Sequence, residues 1–457
     1  MSVLLSLLFL MTVWWGWSWL NKVLLHGDVF SPLNLLFYFW VAPFILCWAN
    51  LSALQSGLEV NAIIVIVLCT GILVATCMVP VILRRLPCFN GAVMKGRHSF
   101  RINAFGVVCF YMLTLTALYF AEFNGRELPL VSYLLGWAGD SNLNVVGKDS
   151  KLQVLAFGIH AASVIVFYLY LNEVRFRQRL FYLLLSLLVI AVGILKTSKS
   201  DIFIPILSYT GLIYYHHRTR RLPQALRPYA ARRLLHRFYK IGAAIIVLLL
   251  LSHITSIRLE GVGHIDGYAD LIKFRYVEEL GTFPSEIVSL VYGYAALGFQ
   301  NFSNFINTHE MVFRVGTSLF RPVLSAFMMG DVADSMSVPV DSWNVVADAA
   351  NTGTFLTPLY IEGGVYFCLF GSLFYGLLVN VVYFLADRSR RTGRALGWLF
   401  AYITLLYPWT WLFFTNAFSV LSIYINVFYV ILLAWLFTKY RAEPENVTIT
   451  FLGRAKQ

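Results

Sequence analysis

The feature that most limits what this chain can fold into is a rhythm. Long runs of Leu, Val, Ile, Phe and Tyr recur along it, broken by short connectors of which every second one is basic. A helix needs roughly 17 to 25 apolar residues to cross a bilayer core, and by that ruler about eleven spans are predicted. They are Ser2–Leu20, Ser31–Leu51, Asn61–Leu83, Ile102–Phe123, Leu152–Leu171, Leu180–Leu195, Ile202–Tyr215, Ile241–Ser256, Phe355–Ala386, Ala395–Phe414 and Val420–Thr438. Only 13% of the residues are charged, where a soluble domain carries about a quarter. The fold class expected is an all-α integral membrane protein. Its layout is an N-terminal bundle of about eight spans over 1–256, a large loop with short helices over 257–354, about three spans over 355–438 and a tail over 439–457.

Basic connectors stay on the cytoplasmic side of a membrane. Asn21–Val29, Leu83–Arg101, Asn172–Arg179, His216–Lys240, Asp387–Arg394 and the tail from Lys439 hold about 25 of the 35 Lys and Arg but only about five of the 23 acids. These segments are therefore expected inside, with the N-terminus and the loop after Ser256 outside. The net charge of +12 is then a topology signal, and the basic run His216–Lys240, which lacks a stacking platform, suits anionic headgroups better than nucleic acid. Ser2–Leu20 lacks a basic leader and a small-residue cleavage site, so it is expected to be retained as a helix. Six scattered cysteines give neither a disulfide framework nor a metal-ligand spacing.

The informative cations lie on the other face. Lys196 and Lys199 sit in a tight turn, Lys196-Thr-Ser-Lys-Ser-Asp201, where they run against the insertion bias. A diphosphate at the membrane surface would give them a purpose, and a snorkelling turn with Asp201 as ion-pair partner is the plainer alternative. Arg258, Arg275, Arg314 and Arg321 join them as phosphate ligands, and Asp270, Glu278 and His264 are the candidate bases. Tyr292 and Tyr294 open an aromatic helix suited either to packing or to sugar rings. Asn351, Thr354 and Tyr360 either position sugar hydroxyls or cap the entering span. His160 falls within a span and reads as a helix-to-helix hydrogen bond. The spans hold almost no ionisable residues, which counts against an ion-coupled transporter. No phosphate-loop, dinucleotide, zinc-protease or serine-elbow motif is present.

Four stretches together resemble the O-antigen polymerase, or oligosaccharide repeat unit polymerase, family of bacterial membrane glycosyltransferases. They are Phe30-Ser-Pro-Leu-Asn34 at the second span, Lys196-Thr-Ser-Lys-Ser200, Tyr292-Gly-Tyr294, and Asn351-Thr-Gly-Thr354 with Tyr360-Ile-Glu-Gly-Gly364. Glu362 stands where that family's run has Asp. The resemblance implies a polyprenyl-sugar transferase fold of the GT-C kind in the bacterial inner membrane, with the active face periplasmic. It implies transfer of glycan between undecaprenyl-diphosphate carriers without a cofactor or metal, and a chain-length co-polymerase and a flippase as partners. A ligase delivering finished glycan to another acceptor would share these features; a lipid-linked oligosaccharide flippase is the rival of a different class.

Overall fold

In a computed structural model, residues 3–25, 27–86, 98–123, 150–196, 198–219, 268–308, 321–323, 353–392 and 395–442 are described. They are almost entirely helical. The chain begins with α1 (Val3–Leu25) and α2 (Pro32–Cys47), whose middle turn, Phe37–Val41, is wound as a π-helix. Then come α3 (Val60–Arg85), a short strand β1 (His98–Ile102), α4 (Ala104–Leu118), α5 (Ser150–Asn172), α6 (Phe176–Leu195) and α7 (Lys199–Thr219). Two single turns, α8 (Tyr268–Leu271) and α9 (Val277–Leu280), lead into α10 (Thr282–Thr308). The chain then forms α11 (Leu356–Thr392), α12 (Gly397–Thr410), α13 (Leu421–Phe437) and β2 (Thr438–Ala442), which pairs antiparallel with β1.

Among the described residues, five helices are long and apolar enough to cross a membrane: Val60–Arg85, Ala104–Ala121, Leu152–Asn172, Phe176–Leu195 and Leu356–Arg390. Pro32–Cys47 and Leu421–Phe437 are shorter apolar helices. The expected span Ile241–Ser256 lies outside the described residues. Leu180–Leu195 and Ile202–Tyr215, short as apolar runs, are the cores of two full helices, because polar residues continue the backbone hydrogen bonding at their ends. The long run Phe355–Ala386 is divided: Gly363 (φ −167°, ψ 24°) and Gly364 (φ 61°, ψ −149°) break α11 about two turns from its start. A side chain at φ 61° with that ψ is strained, so the break needs glycine at 364.

Apolar side chains point both ways. Trp15 and Trp19 on α1 and Phe176 and Leu184 on α6 face outward, the orientation water would oppose and a hydrocarbon phase permits. Inside the bundle, α12 is buried along nearly its whole length, with Phe400, Ala401, Tyr402, Ile403 and Trp409 fully enclosed. A helix apolar all round belongs in such a core. α12 packs on α11, α13 and α7, while α5 packs on α4, α6 and α13.

The two ends of the bundle differ in chemistry. At one, Asp387 takes Arg84 at 2.8 Å and Arg390 at 2.7 Å, and Asp28 accepts the hydroxyls of Tyr383 (2.9 Å) and Tyr215 (3.4 Å). This end gathers connectors that the sequence assigns to one face and is called the basic end below. The other end carries the α6–α7 turn, the loop 51–59 and α8 to α10. Ser31 caps α2 by accepting the Asn34 N–H (3.2 Å), with Pro32 in the first turn, and donates its own hydroxyl to Asn21 (2.7 Å). The Phe30–Asn34 stretch is thus a helix start.

Candidate functional site

At the end opposite the basic one, α6 and α7 meet through Gly193. A Cβ there would stand 2.9 Å from the Asp201 carbonyl carbon, so only glycine allows the two helices to close this tightly. The hairpin between them satisfies itself: Ser198 N–H donates to Gly193 O (3.0 Å), and the Ser198 hydroxyl accepts from Asp201 N–H (3.4 Å), capping α7. Lys196 Nζ lies 2.6 Å from Asp201 Oδ2, with about a quarter of each side chain exposed (25% and 22%). His160, on α5, approaches the same carboxylate from the opposite side, its Nε2 3.8 Å from Oδ1. Its Nδ1 is buried with no hydrogen-bond partner among the described residues.

Asp201 stands one residue before the apolar run of α7. Burial pushes its carboxyl up, but the nearby imidazole of His160 and the charge of Lys196 outweigh that, so the group is held below the usual carboxylate range. It is an anion at any neutral pH. These three residues line a cavity of about 230 Å³ between α5, α6, α7, α12 and α13, whose polar wall includes Ser208, Thr404, Tyr407, Thr415 and Asn426. That is somewhat below the roughly 300 Å³ at which small-molecule sites begin, a size for one saccharide ring or a linkage, not a whole repeat unit.

The loop elements stand beside this cavity. Phe203 on α7 lies 5.0 Å from Trp411, Trp411 5.5 Å from Phe414, and Tyr294 stacks on Phe414 (5.0 Å) and on Tyr268 (5.8 Å, interplanar 19°). Phe203, Trp411, Phe414 and Tyr294 are all partly exposed, so a strip of ring faces and edges runs from the cavity to α8. Gly293 makes room for it, since a Cβ there would strike the Tyr268 ring at 2.5 Å.

α8 and α9 are held on the loop 51–59. Arg275 N–H donates to Leu51 O (2.9 Å), Ala53 N–H to Lys273 O (2.9 Å) and the Ser52 hydroxyl to Ile272 O. Glu286 receives the Tyr268 and Ala269 N–H groups at 2.7 and 3.2 Å, anchoring the first turn of α8. On this platform Asp270, Arg275, Glu278 and Glu279 are exposed.

The other expected site residues divide into three groups. Tyr292, Thr354 and Tyr360 are engaged within the protein. Tyr292 donates to Gln55 and accepts from Leu51 N–H (3.0 Å), Thr354 is buried and accepts Leu356 N–H (3.3 Å), and Tyr360 meets Phe302 edge to face at 5.9 Å. Lys199 opens α7, and Arg321 is exposed on a single turn, 321–323. Arg258, His264, Arg314 and Asn351 lie outside the described residues.

One residue was read only in part and another was missed. His160 was expected to bond between helices, and it does approach α7, but its partner is the acid of the exposed turn, 41 positions away with no spacing to announce it. Its signal was an ionisable group inside a span. Glu286 was legible only as an acid in the first turns of a helix. Among the described residues no three His, Cys, Asp or Glu side chains converge as metal ligands. Comparison with family models, with curated proteins and with solved structures gave no match.

Proposed function

We propose that this chain is a membrane glycosyltransferase that joins oligosaccharide units carried on polyprenyl diphosphate, at the membrane face where α8 to α10 lie. The observation that carries the reading is the placing of an imidazole against a carboxylate, His160 on Asp201, in a hydroxyl-lined cavity that opens beside an aromatic strip and an Arg-bearing platform. In the reaction, an acceptor hydroxyl attacks the anomeric carbon of the donor. The new C–O bond forms as the bond to the diphosphate oxygen breaks, and the diphosphate leaves with the electron pair. The acceptor proton goes to His160, whose cation Asp201 then stabilises. The ring strip orients sugars by stacking, and Arg275, Lys199 and Arg321 neutralise the departing diphosphate. Lys196 is a poorer phosphate ligand than its position in the sequence suggested, because Asp201 already neutralises it.

The undecaprenyl carrier, the periplasmic face of a bacterial inner membrane, O-antigen as product, and a co-polymerase and flippase as partners belong to this same proposal and rest on the family resemblance. The test is to incubate the purified protein with lipid-linked repeat units. Oligomers on the carrier are expected, undiminished by chelator, and their absence with intact substrate defeats the reading. In cells, Arg275→Ala and Lys199→Ala are each expected to leave the protein in the membrane and remove long glycan ladders; normal ladders in both place the diphosphate elsewhere. Long chains accumulating on the carrier in a null strain would identify a ligase instead of a polymerase.

A further inference from the structure

At the basic end a second and larger cavity, about 690 Å³, opens between the start of α4, the α5–α6 connection and the first residue after Thr438. Its wall includes Phe105, Glu173, Arg175, Gln178, Tyr182 and Lys439. The one carboxylate in that wall is turned onto its own backbone: Glu173 Oε1 accepts the N–H groups of Val174 and Arg175, both at 3.0 Å. Neither Arg175 nor Lys439 is within ion-pair distance of a carboxylate among the described residues, whereas Arg84 and Arg390 at the same end both are. Among the described residues, two cations with no carboxylate in ion-pair reach therefore line one groove, beside a single acid held to its own backbone and the neutral amide of Gln178.

The rim tells a soluble anion from a lipid. Val174 and Phe176, the chain neighbours of Arg175, are 92% and 76% exposed, and Phe105 in the groove wall is 78% exposed. A free phosphate would satisfy the cations and leave these side chains in water. A phospholipid would cover them with its acyl chains while its phosphate reached the groove. We infer that this groove is a binding site for one anionic phospholipid, held by Arg175 and Lys439 through the phosphate and by Phe105 and Phe176 through the chains. The site is separate from the cavity at His160 and stands whether or not the transferase reading does.

The experiment is native mass spectrometry of the full chain released from nanodiscs of mixed phosphatidylglycerol and phosphatidylcholine. One phosphatidylglycerol is expected to stay bound in preference to phosphatidylcholine. In the double variant Arg175→Gln with Lys439→Gln its retention falls on the order of tenfold, while Arg85→Gln, another exposed basic position at this end, leaves retention unchanged. No preference for the anionic lipid in the unsubstituted protein overturns the proposal without recourse to any variant, and so does equal retention in the double variant. Glycerol 3-phosphate displacing the lipid at equal concentration would overturn it too, by assigning the groove to a soluble phosphate.

Discussion

At the scale of single residues, the Lys196–Asp201–His160 group decides most. Lys196→Met leaves the Asp201 carboxylate half-buried with only an imidazole beside it, and the expected loss is about 1 to 2 kcal/mol, less than a fully enclosed pair would cost because a quarter of each side chain meets solvent. Adding Asp201→Asn removes the stranded charge, so the double variant is expected to be more stable than Lys196→Met alone, a coupling visible as a rise in unfolding temperature in detergent. The pH dependence has a fixed sign. Because the folded protein holds Asp201 below its usual range, its contribution is complete above roughly pH 4 and is lost only in stronger acid. In a His160→Asn background, which removes the other titrating group beside it, the stability gap between Asp201 and Asp201→Asn should thus stay constant from pH 5 to 8 and narrow in stronger acid; a gap that widens on acidification would contradict the geometry. The sequence offered both Lys196 and Asp201, including the possibility that they pair, since they flank one turn. It offered His160 as a contact between helices but not Asp201 as its partner, because a tertiary approach between α5 and α7 has no sequence spacing of its own.

Among elements, the α6–α7 hairpin and α10 carry the site. Gly193 is the contact that sets the hairpin, so Gly193→Val should prise the helices apart at a cost of about 1 to 3 kcal/mol and weaken the Lys196–Asp201 pair with it. Gly71, around which a Cβ meets open space in the middle of α3, is the control, and Gly71→Ala is expected to leave the unfolding temperature the same or slightly higher, since alanine favours a helix over glycine. The sequence left α10 open between a packing helix and a platform for sugar rings. It is a packing helix: Phe299 lies 4.8 Å from Trp40 and 5.5 Å from Phe44, and Gln300 donates to Gly57 O (2.9 Å). Among its described side chains the one partly exposed ring, Tyr294, is the part that joins the aromatic strip. Tyr292 and Tyr294 read alike in sequence, and two residues of helical rotation send one into the loop 51–59 and the other toward Phe414. Glu286→Gln should loosen α8 by about 1 kcal/mol, measurable as faster amide exchange at Tyr268 and Ala269 with the exchange of α12 unaffected.

The whole molecule is ordered by which end each connector reaches. Hydropathy made the helical class readable, since apolar runs of spanning length leave few other folds, but it merged two helices at Gly363–Gly364, where composition stays apolar while the backbone turns. Charge made the ends readable: Arg84, Asp387 and Arg390, drawn from connectors about 300 residues apart that the sequence placed on one face, meet in one ion-pair group. α7 brings Tyr215 to Asp28 and Arg390 at one end, while Tyr268 lies at the opposite end against Tyr294; the predicted span Ile241–Ser256 lies outside the described residues. Which end faces the cell interior is then one measurement. In a background without Cys88 and Cys109, Glu279→Cys and Arg388→Cys place single exposed thiols at the two ends. A membrane-impermeant maleimide on intact cells is expected to modify position 279 and to reach 388 only after permeabilisation. The reverse pattern would put Arg275, Lys199 and the His160 cavity on the cytoplasmic face and the basic end outside, against the positive-inside bias, and the periplasmic reaction proposed above would fall.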